Sequence, residues 1–238
     1  MGWAEMLIRL NIPYDTEAAV QLASEVMGFI DLHAKQASRE LALTRGAFPN
    51  WKQSIYTEAA PLRNATTTSI APTGTISIIA GTSSSIEPLF ALAFFRTQVL
   101  QGETLPYIDP LFLETVEKYA LPKDKITEQL IERGMAGNIA ELPAEIKEVF
   151  KTALEIAPEW HLRHQLAFQQ HTDNAVSKTI NLPESASIQD IDRIFRLAWR
   201  KKAKGITIFR NHSKLQQVLN PGLQNINRTC KLSCNPEW

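Results

Sequence analysis

The chain has 238 residues, 44% of them hydrophobic and 21% charged, and its 25 basic side chains balance 25 acidic ones. This is the composition of an ordinary globular protein of one large or two small domains, and zero net charge provides no global field toward nucleic acid or an anionic membrane. No apolar run reaches the roughly 20 residues a membrane helix needs.

The N-terminal stretch MGWAEMLIRLNIPYD has no basic region ahead of a long apolar run, and Met6 stands where a myristoylation signal wants Ser or Thr. A cytoplasmic protein is expected, without membrane or nucleic-acid partners. Asp15-Thr16-Glu17 starts a helix whose apolar face is Val20, Leu22, Ala23, Val26, Met27 and Ile30, and Gly46 with Pro49 ends the helical region. Thr66 to Ala71 alternates and is rich in Thr and Ile, which predicts a strand stopped by Pro72. Thr75 to Ala80 suits a helix start, although its three isoleucines would also suit a strand.

Residues 110–157 read as helices broken at Pro122, Gly134 to Gly137 and Pro143, followed by a helix from about Pro158 to His171. AVSKTINL (175–182) and GITIFR (205–210) read as strands. Between them Ser187 and Asp190 form a capping-box variant, with Ile188, Ile191, Phe195, Ala198 and Trp199 on one helix face and Gly205 at the end. Strand, helix, strand implies a parallel pair, so the fold class is α/β. After residue 210 the chain turns polar, rich in Asn and Gln, and 211–238 is expected to be a flexible tail on a body formed by 1–210. From Arg196 onward nine basic residues accompany the single acid Glu237, which could sit near phosphate or simply be solvated.

The stretch RNATTTSIAPTGTISIIAGTSSSIEPLF (63–90) concentrates hydroxyls and glycine between apolar runs. A strand delivering backbone into a helix N-terminus can hold a phosphate with N–H groups alone, helped by the helix dipole. In APTGTIS, Pro72 would stop the strand, Gly74 would let backbone approach an oxygen, and Thr73, Thr75 and Ser77 could add donors. The GK[ST] signature of a Walker loop is missing. On the residues alone, a turn whose hydroxyls bond their own backbone remains equally open.

The strings ATTTSIAPTGTISIIAGTSSSIEPLFAL, TDNAVSKTINLP and KGITIFR, with the opening GWAEMLIRLNIPYDTEAAVQLA and SRELALTRGAFPNW, closely resemble the C-terminal third of adenosylcobalamin-dependent, class II ribonucleotide reductases. The resemblance covers nearly the whole chain and is weakest between about 120 and 158. It implies part of a ten-stranded α/β barrel completed by another chain. It also implies that the loop matching Pro72, Thr73, Gly74, Thr75 and Ile76 holds the phosphates of a ribonucleotide substrate, diphosphate or triphosphate.

Cys230 and Cys234 are the only cysteines. Spacing alone leaves them as incidental thiols; zinc lacks ligands, with only His212 near, and a structural disulfide is unexpected in a reducing compartment. The resemblance implies a sharper role, a mobile pair that re-reduces a barrel dithiol by thiol–disulfide exchange and is itself restored by thioredoxin or a glutaredoxin-like protein. Their three-residue spacing departs from the two-residue spacing of many class II tails.

The same resemblance implies a radical-forming cysteine, a cluster of Asn, Cys and Glu on a central loop and two reducing cysteines in the barrel. No residue before Cys230 is a cysteine. The chain is therefore expected to act as one subunit of a split enzyme, not competent alone, beside a larger chain that carries the radical cysteine and most contacts to adenosylcobalamin. An obligate complex of that kind buries above roughly 2,000 Å². A fragment of a single-chain reductase and a non-catalytic nucleotide-binding or regulatory module are the alternatives.

Of the remaining residues, His161, His164 and His171 are expected as solvated or capping side chains rather than metal ligands, Asp173 and Asn174 as a corner, and Trp160 and Trp199 as core. Lys178 and Thr179 are candidates for the barrel interior, and Glu87 belongs to the family string with no role readable from its chemistry.

Overall fold

Residues 1–99, 103–211 and 213 are described by a computed structural model. The first helix, α1 (Trp3–Arg9), leads into α2 (Glu17–Arg45), whose N-cap Thr16 accepts from the backbone N–H of Ala19 and which ends at Gly46, φ 75°. A seven-residue helix, α3 (Gly74–Ala80), follows a long irregular stretch. An antiparallel hairpin, β1 (Ala93–Val99) and β2 (Glu103–Ile108), pairs Ala93 with Ile108 and stacks Phe94 on Tyr107. The alternation that would announce such a hairpin in the sequence is absent, since apolar residues lead in AFFRTQV and polar ones lead in ETLPYI.

Three short helices come next, α4 (Pro110–Lys118), α5 (Lys123–Arg133) and α6 (Ala144–Val149), with breaks at the expected Pro122, Gly134 and Pro143. They close over their own core, in which Phe112, Ile126, Leu130, Ile139 and Phe150 are buried with Ile8 and Leu92. A second core joins α1 and α2 to α7 (Pro158–Gln169): Ala19, Ala23 and Met27 recur every four residues and bury against Phe168. Their small side chains let the two helices approach closely, and a Cβ at Gly28 would stand 3.4 Å from the His171 ring.

The third core lies under the expected strand–helix–strand unit. Strand β3 (Thr179–Leu182) pairs in parallel with β4 (Thr207–Arg210), Ile180 opposite Ile208 and Leu182 opposite Arg210. Between them α8 (Ile188–Arg200) starts with the capping box: Ser187 Oγ accepts from the Asp190 N–H, and Asp190 accepts from the Ser187 N–H. The helix turns Ile194 and Ala198 inward onto Ile180, Leu182 and Leu162. Trp199 does not join this core. It is 79% exposed, as Ile188 is 82% exposed, while Trp160 packs at the margin of the second core.

The predicted strand at 66–71 contracts to a single parallel bridge, Ile70 with Val176, made by Ile70 N–H to Ala175 O and Ser177 N–H to Ile70 O. Pro72 has no N–H to continue it, and the chain turns away into α3. The described architecture is thus mixed α/β, a few parallel strands backed by helices.

Candidate functional site

The turn between the Ile70 bridge and α3 brings the five predicted phosphate-loop residues together. Thr73 is the N-cap of α3 and lies in the left-handed region, φ 53° and ψ 24°, and its side chain makes no capping bond to the helix. For a β-branched residue that conformation is a genuine outlier, costing about 1–2 kcal/mol. Its hydroxyl faces the returning chain instead and accepts the Ser85 N–H at 2.8 Å. Ser84 Oγ donates to the Pro72 carbonyl at 2.7 Å, and Ser85 is itself left-handed, φ 47°. Two strained residues therefore hold each other across the turn, which persists only where the surroundings over-determine it.

This arrangement spares the first-turn N–H groups of α3 from side-chain caps and leaves Pro72, Gly74, Thr75 and Ile76 exposed around them. A Cβ on Gly74 would meet no atom within 4 Å. Ser77 is not a donor at the rim, because it is buried and its hydroxyl is spent on the Gly74 carbonyl. The carboxylate of Glu5 is held at the far end of α3, where it accepts from Thr82 Oγ1 at 2.7 Å, and Gly2 N–H bonds Ser83 O. An N-terminal turn with unspent donors and no bonded carboxylate suits an anion.

Behind the loop lies a buried polar network. Lys178 is fully enclosed, ion-paired to Glu87 Oε2, and donates to His161 Nδ1 at 2.9 Å. The other Glu87 oxygen accepts the Thr179 N–H at 2.7 Å. Period-two alternation puts Lys178 on the face of Ile180 and Leu182, which is the face α7 covers. Lys178 therefore points at α7 and not into the barrel interior, while Thr179 takes the opposite side of the strand.

The histidines correct the expectation of solvated side chains: His161 and His164 are completely buried. His161 Nε2 lies 3.1 Å from the Ala153 carbonyl, and His164 Nε2 lies 2.8 Å from the Tyr14 carbonyl, so both carry the proton on Nε2. Each Nδ1 is then an acceptor, for Lys178 in one case and for the Trp3 indole N–H at 3.3 Å in the other. Burial first, and the Lys178 charge second, hold His161 well below the usual imidazole value; burial takes His164 down to about 4. Burial also lowers Lys178, against the Glu87 carboxylate, and raises Tyr14, whose hydroxyl donates to Ile86 O at 2.8 Å. His171 lies beyond α7 and meets Ser24 at 3.2 Å.

Asp173 does turn the chain, bonding the Thr67 N–H and pairing with Lys35 of α2 at 3.2 Å. Cys230, Cys234 and His212 lie outside the described residues. Tyr14 and Ser85 are the contributors that sequence reading missed. Tyr14 acts 72 residues away, and nothing in the string NIPYD announces it. Among the described residues no group of three or more His, Cys, Asp or Glu could hold a metal ion, and no helix is long and apolar enough to cross a membrane.

Parallel strands backed by helices, with a polar turn at a strand end, define a segment of an α/β barrel. The family described as "Ribonucleotide reductase, barrel domain" matches residues 1–61 and 57–209. The vitamin B12-dependent ribonucleoside-diphosphate reductase of Mycobacterium tuberculosis is 47% identical over 219 residues, which is 92% of this chain and 31% of that protein. The enzyme of the same name from Thermoplasma acidophilum is 47% identical over 223 residues, 93% of this chain and 29% of its own length. Among solved structures, the Actinobacillus ureae class Id ribonucleotide reductase alpha subunit superposes with a TM-score of 0.76 at 25% identity, over 89% of this chain and 38% of that one. The chain belongs to the ribonucleotide reductase barrel family, on the side of the vitamin B12-dependent enzymes, and spans just under a third of the length of those curated relatives.

Proposed function

We propose that this chain supplies the substrate phosphate loop and the exchange dithiol of an adenosylcobalamin-dependent ribonucleoside-diphosphate reductase, the radical-forming cysteine being carried by a larger reductase chain. One observation carries the reading: the barrel family matches the chain from residue 1 to 209, and no cysteine occurs before Cys230. The apparatus that forms the radical must then come from elsewhere. Exposed Phe29, Leu32 and Leu43 on α2, with Ile55 and the Ile188 and Trp199 side of α8, give that larger part apolar surface to cover.

A hollow of about 540 Å³ beside α8 and β4 and one of about 350 Å³ beside α7 are of the size that takes drug-like molecules, smaller than a corrin with its nucleotide arm. His161 and His164 have both ring nitrogens engaged and are not axial ligands. The reading assigns the cofactor to the larger chain.

In this reading Thr75 and the N–H groups of Gly74 to Ile76, on the turn whose shape Thr73 sets through its bond from Ser85, surround the substrate's diphosphate. Gly74→Val tests it, since a Cβ added there meets no protein atom within 4 Å and the change should alter stability by less than about 1 kcal/mol. Affinity of the complete reductase for a ribonucleoside diphosphate should fall at least about tenfold, or about 1.4 kcal/mol. Unchanged affinity in a folded Gly74→Val protein rules the loop out as the phosphate site. Tight binding of the diphosphate by this chain alone would favour a stand-alone nucleotide-binding module.

A further inference from the structure

Building on the phosphate-loop reading, we infer that Glu87 and Lys178 are positioning residues for the substrate phosphates, holding Thr73 in its left-handed conformation from inside the fold. The segment ending at Ala71 partners residues 175–177 through Ile70 alone, because Pro72 has no N–H and the chain then departs. The next N–H along that edge, at Thr179, would lack a strand partner. Glu87 Oε1 takes it at 2.7 Å, so a side-chain carboxylate stands where a backbone carbonyl would be.

The second carboxylate oxygen is fixed by Lys178, and Lys178 is fixed by His161, whose tautomer is set by Ala153 O. Glu87 therefore has no rotational slack. One residue before it, Ile86 O is pinned by Tyr14, and one before that is Ser85, left-handed, donating to Thr73 Oγ1. The return leg is clamped at three successive residues, and its last clamp is the hydroxyl of Thr73. A carboxylate or hydroxyl shift at Glu87 or Tyr14 thus reaches the entrance of α3 through two bonded residues.

Stability does not explain the pair. An enclosed ion pair is commonly no more stable than apolar side chains of the same volume, because desolvation offsets the attraction. What a carboxylate supplies here and an apolar residue cannot is a fixed distance between β3 and the return leg. Neither side chain reaches the loop's exposed rim, so their effect on substrate passes through Ser85 and Thr73.

The test uses the complete reductase, this chain together with the larger part, with dithiothreitol as reductant, ADP as substrate and inorganic pyrophosphate as inhibitor. Glu87→Asp keeps the charge pair and shortens the arm by one methylene. The expected result is a KM for ADP raised about tenfold with kcat within about twofold, and pyrophosphate inhibition weakened by a similar factor. A purely structural loss would lower the active fraction, and with it kcat, without moving KM. Should Glu87→Asp fail to fold, the double variant E87Q/K178M, which leaves no enclosed charge unpaired, carries the same expectation. Unchanged KM and pyrophosphate inhibition in the folded variant overturn the inference. Thr73→Ala, measured alongside, separates the two readings. A raised KM there with none in Glu87→Asp removes only the positioning role, whereas no change in Thr73→Ala removes the phosphate loop and the inference with it.

Discussion

Changing Cys230 and Cys234 together to serine is expected to end sustained turnover with a thioredoxin-type reductant, leaving about one turnover's worth of product, while dithiothreitol keeps turnover within about twofold of the parent. In the proposed reading each ribose reduction would oxidise a barrel dithiol to a disulfide. A tail thiolate would attack that disulfide, its neighbour would resolve the mixed disulfide, and the two electrons lost by the tail would be replaced by the external dithiol. Reach permits this. Any linker of the nineteen residues 211–229 would, if it were a flexible coil, span roughly 25 Å root-mean-square and about 60 Å fully extended, comparable with a barrel's radius. A small dithiol needs no tail, which is why the two reductants part company. Cys230→Ser or Cys234→Ser alone should trap a mixed disulfide, visible by mass spectrometry as a crosslink to the barrel dithiol. Equal loss with both reductants would dismiss the shuttle.

Acid should unfold this protein over an unusually high pH window. His161 and His164 are neutral in the fold with Nδ1 as acceptor. Protonation there would set N–H against the Lys178 ammonium or the Trp3 indole, donor against donor. The folded-state pKa is depressed in both, to about 4 for His164, so between pH 6.5 and 4 the unfolded chain binds more protons than the folded one. Stability is complete above pH 6.5 and is lost as pH falls. From pH 7 to pH 5 the loss is about 2 kcal/mol for His164, and His161 adds to it in the same direction. Glu141, held at about 2 by Lys125, loses its contribution mainly below pH 5, whereas Asp109, raised by burial, opposes the loss. Urea midpoints at the two pH values measure the effect. His164→Gln should lower stability at pH 7 yet reduce the slope, and a flat profile in the parent would show that these imidazoles are not enclosed as described.

The elements that local chemistry specifies were legible. The Ser187 and Asp190 box, the Thr16 cap, the Gly46 stop and the pairing of β3 with β4 all depend on residues within a few positions of one another or on a short crossover. What failed depended on what lies opposite. On α8 the apolar stripe is wider than the sheet beneath it, and only the Ile194 and Ala198 side meets β3. Ile188 and Trp199 fall outside that contact although they satisfy the same periodicity. The histidines of α7 look like surface residues in a string such as PEWHLRHQLAFQ, and only the carbonyls of Ala153 and Tyr14 make their burial tolerable. Lys178 was misdirected for a reason the sequence could have corrected, since it shares parity with Ile180 and Leu182. The partners of Glu87 could not have been read, because Lys178 and Thr179 are 91 and 92 residues away. The loop itself was recognisable from APTGTIS, but its two left-handed residues, neither a glycine, carry no compositional mark.

The central proposal is that this polypeptide contributes the anion cup and the thiol pair while the radical centre resides on another chain. Ribonucleoside diphosphate reduction with adenosylcobalamin and dithiothreitol tests it most directly, assayed for this chain alone, for the larger part alone and for the two combined. The account predicts deoxyribonucleotide only in the combination, and a Gly74→Val chain should combine yet require a higher substrate concentration. Deoxyribonucleotide formed by this chain alone would contradict it, as would an active larger part that gains nothing from this one.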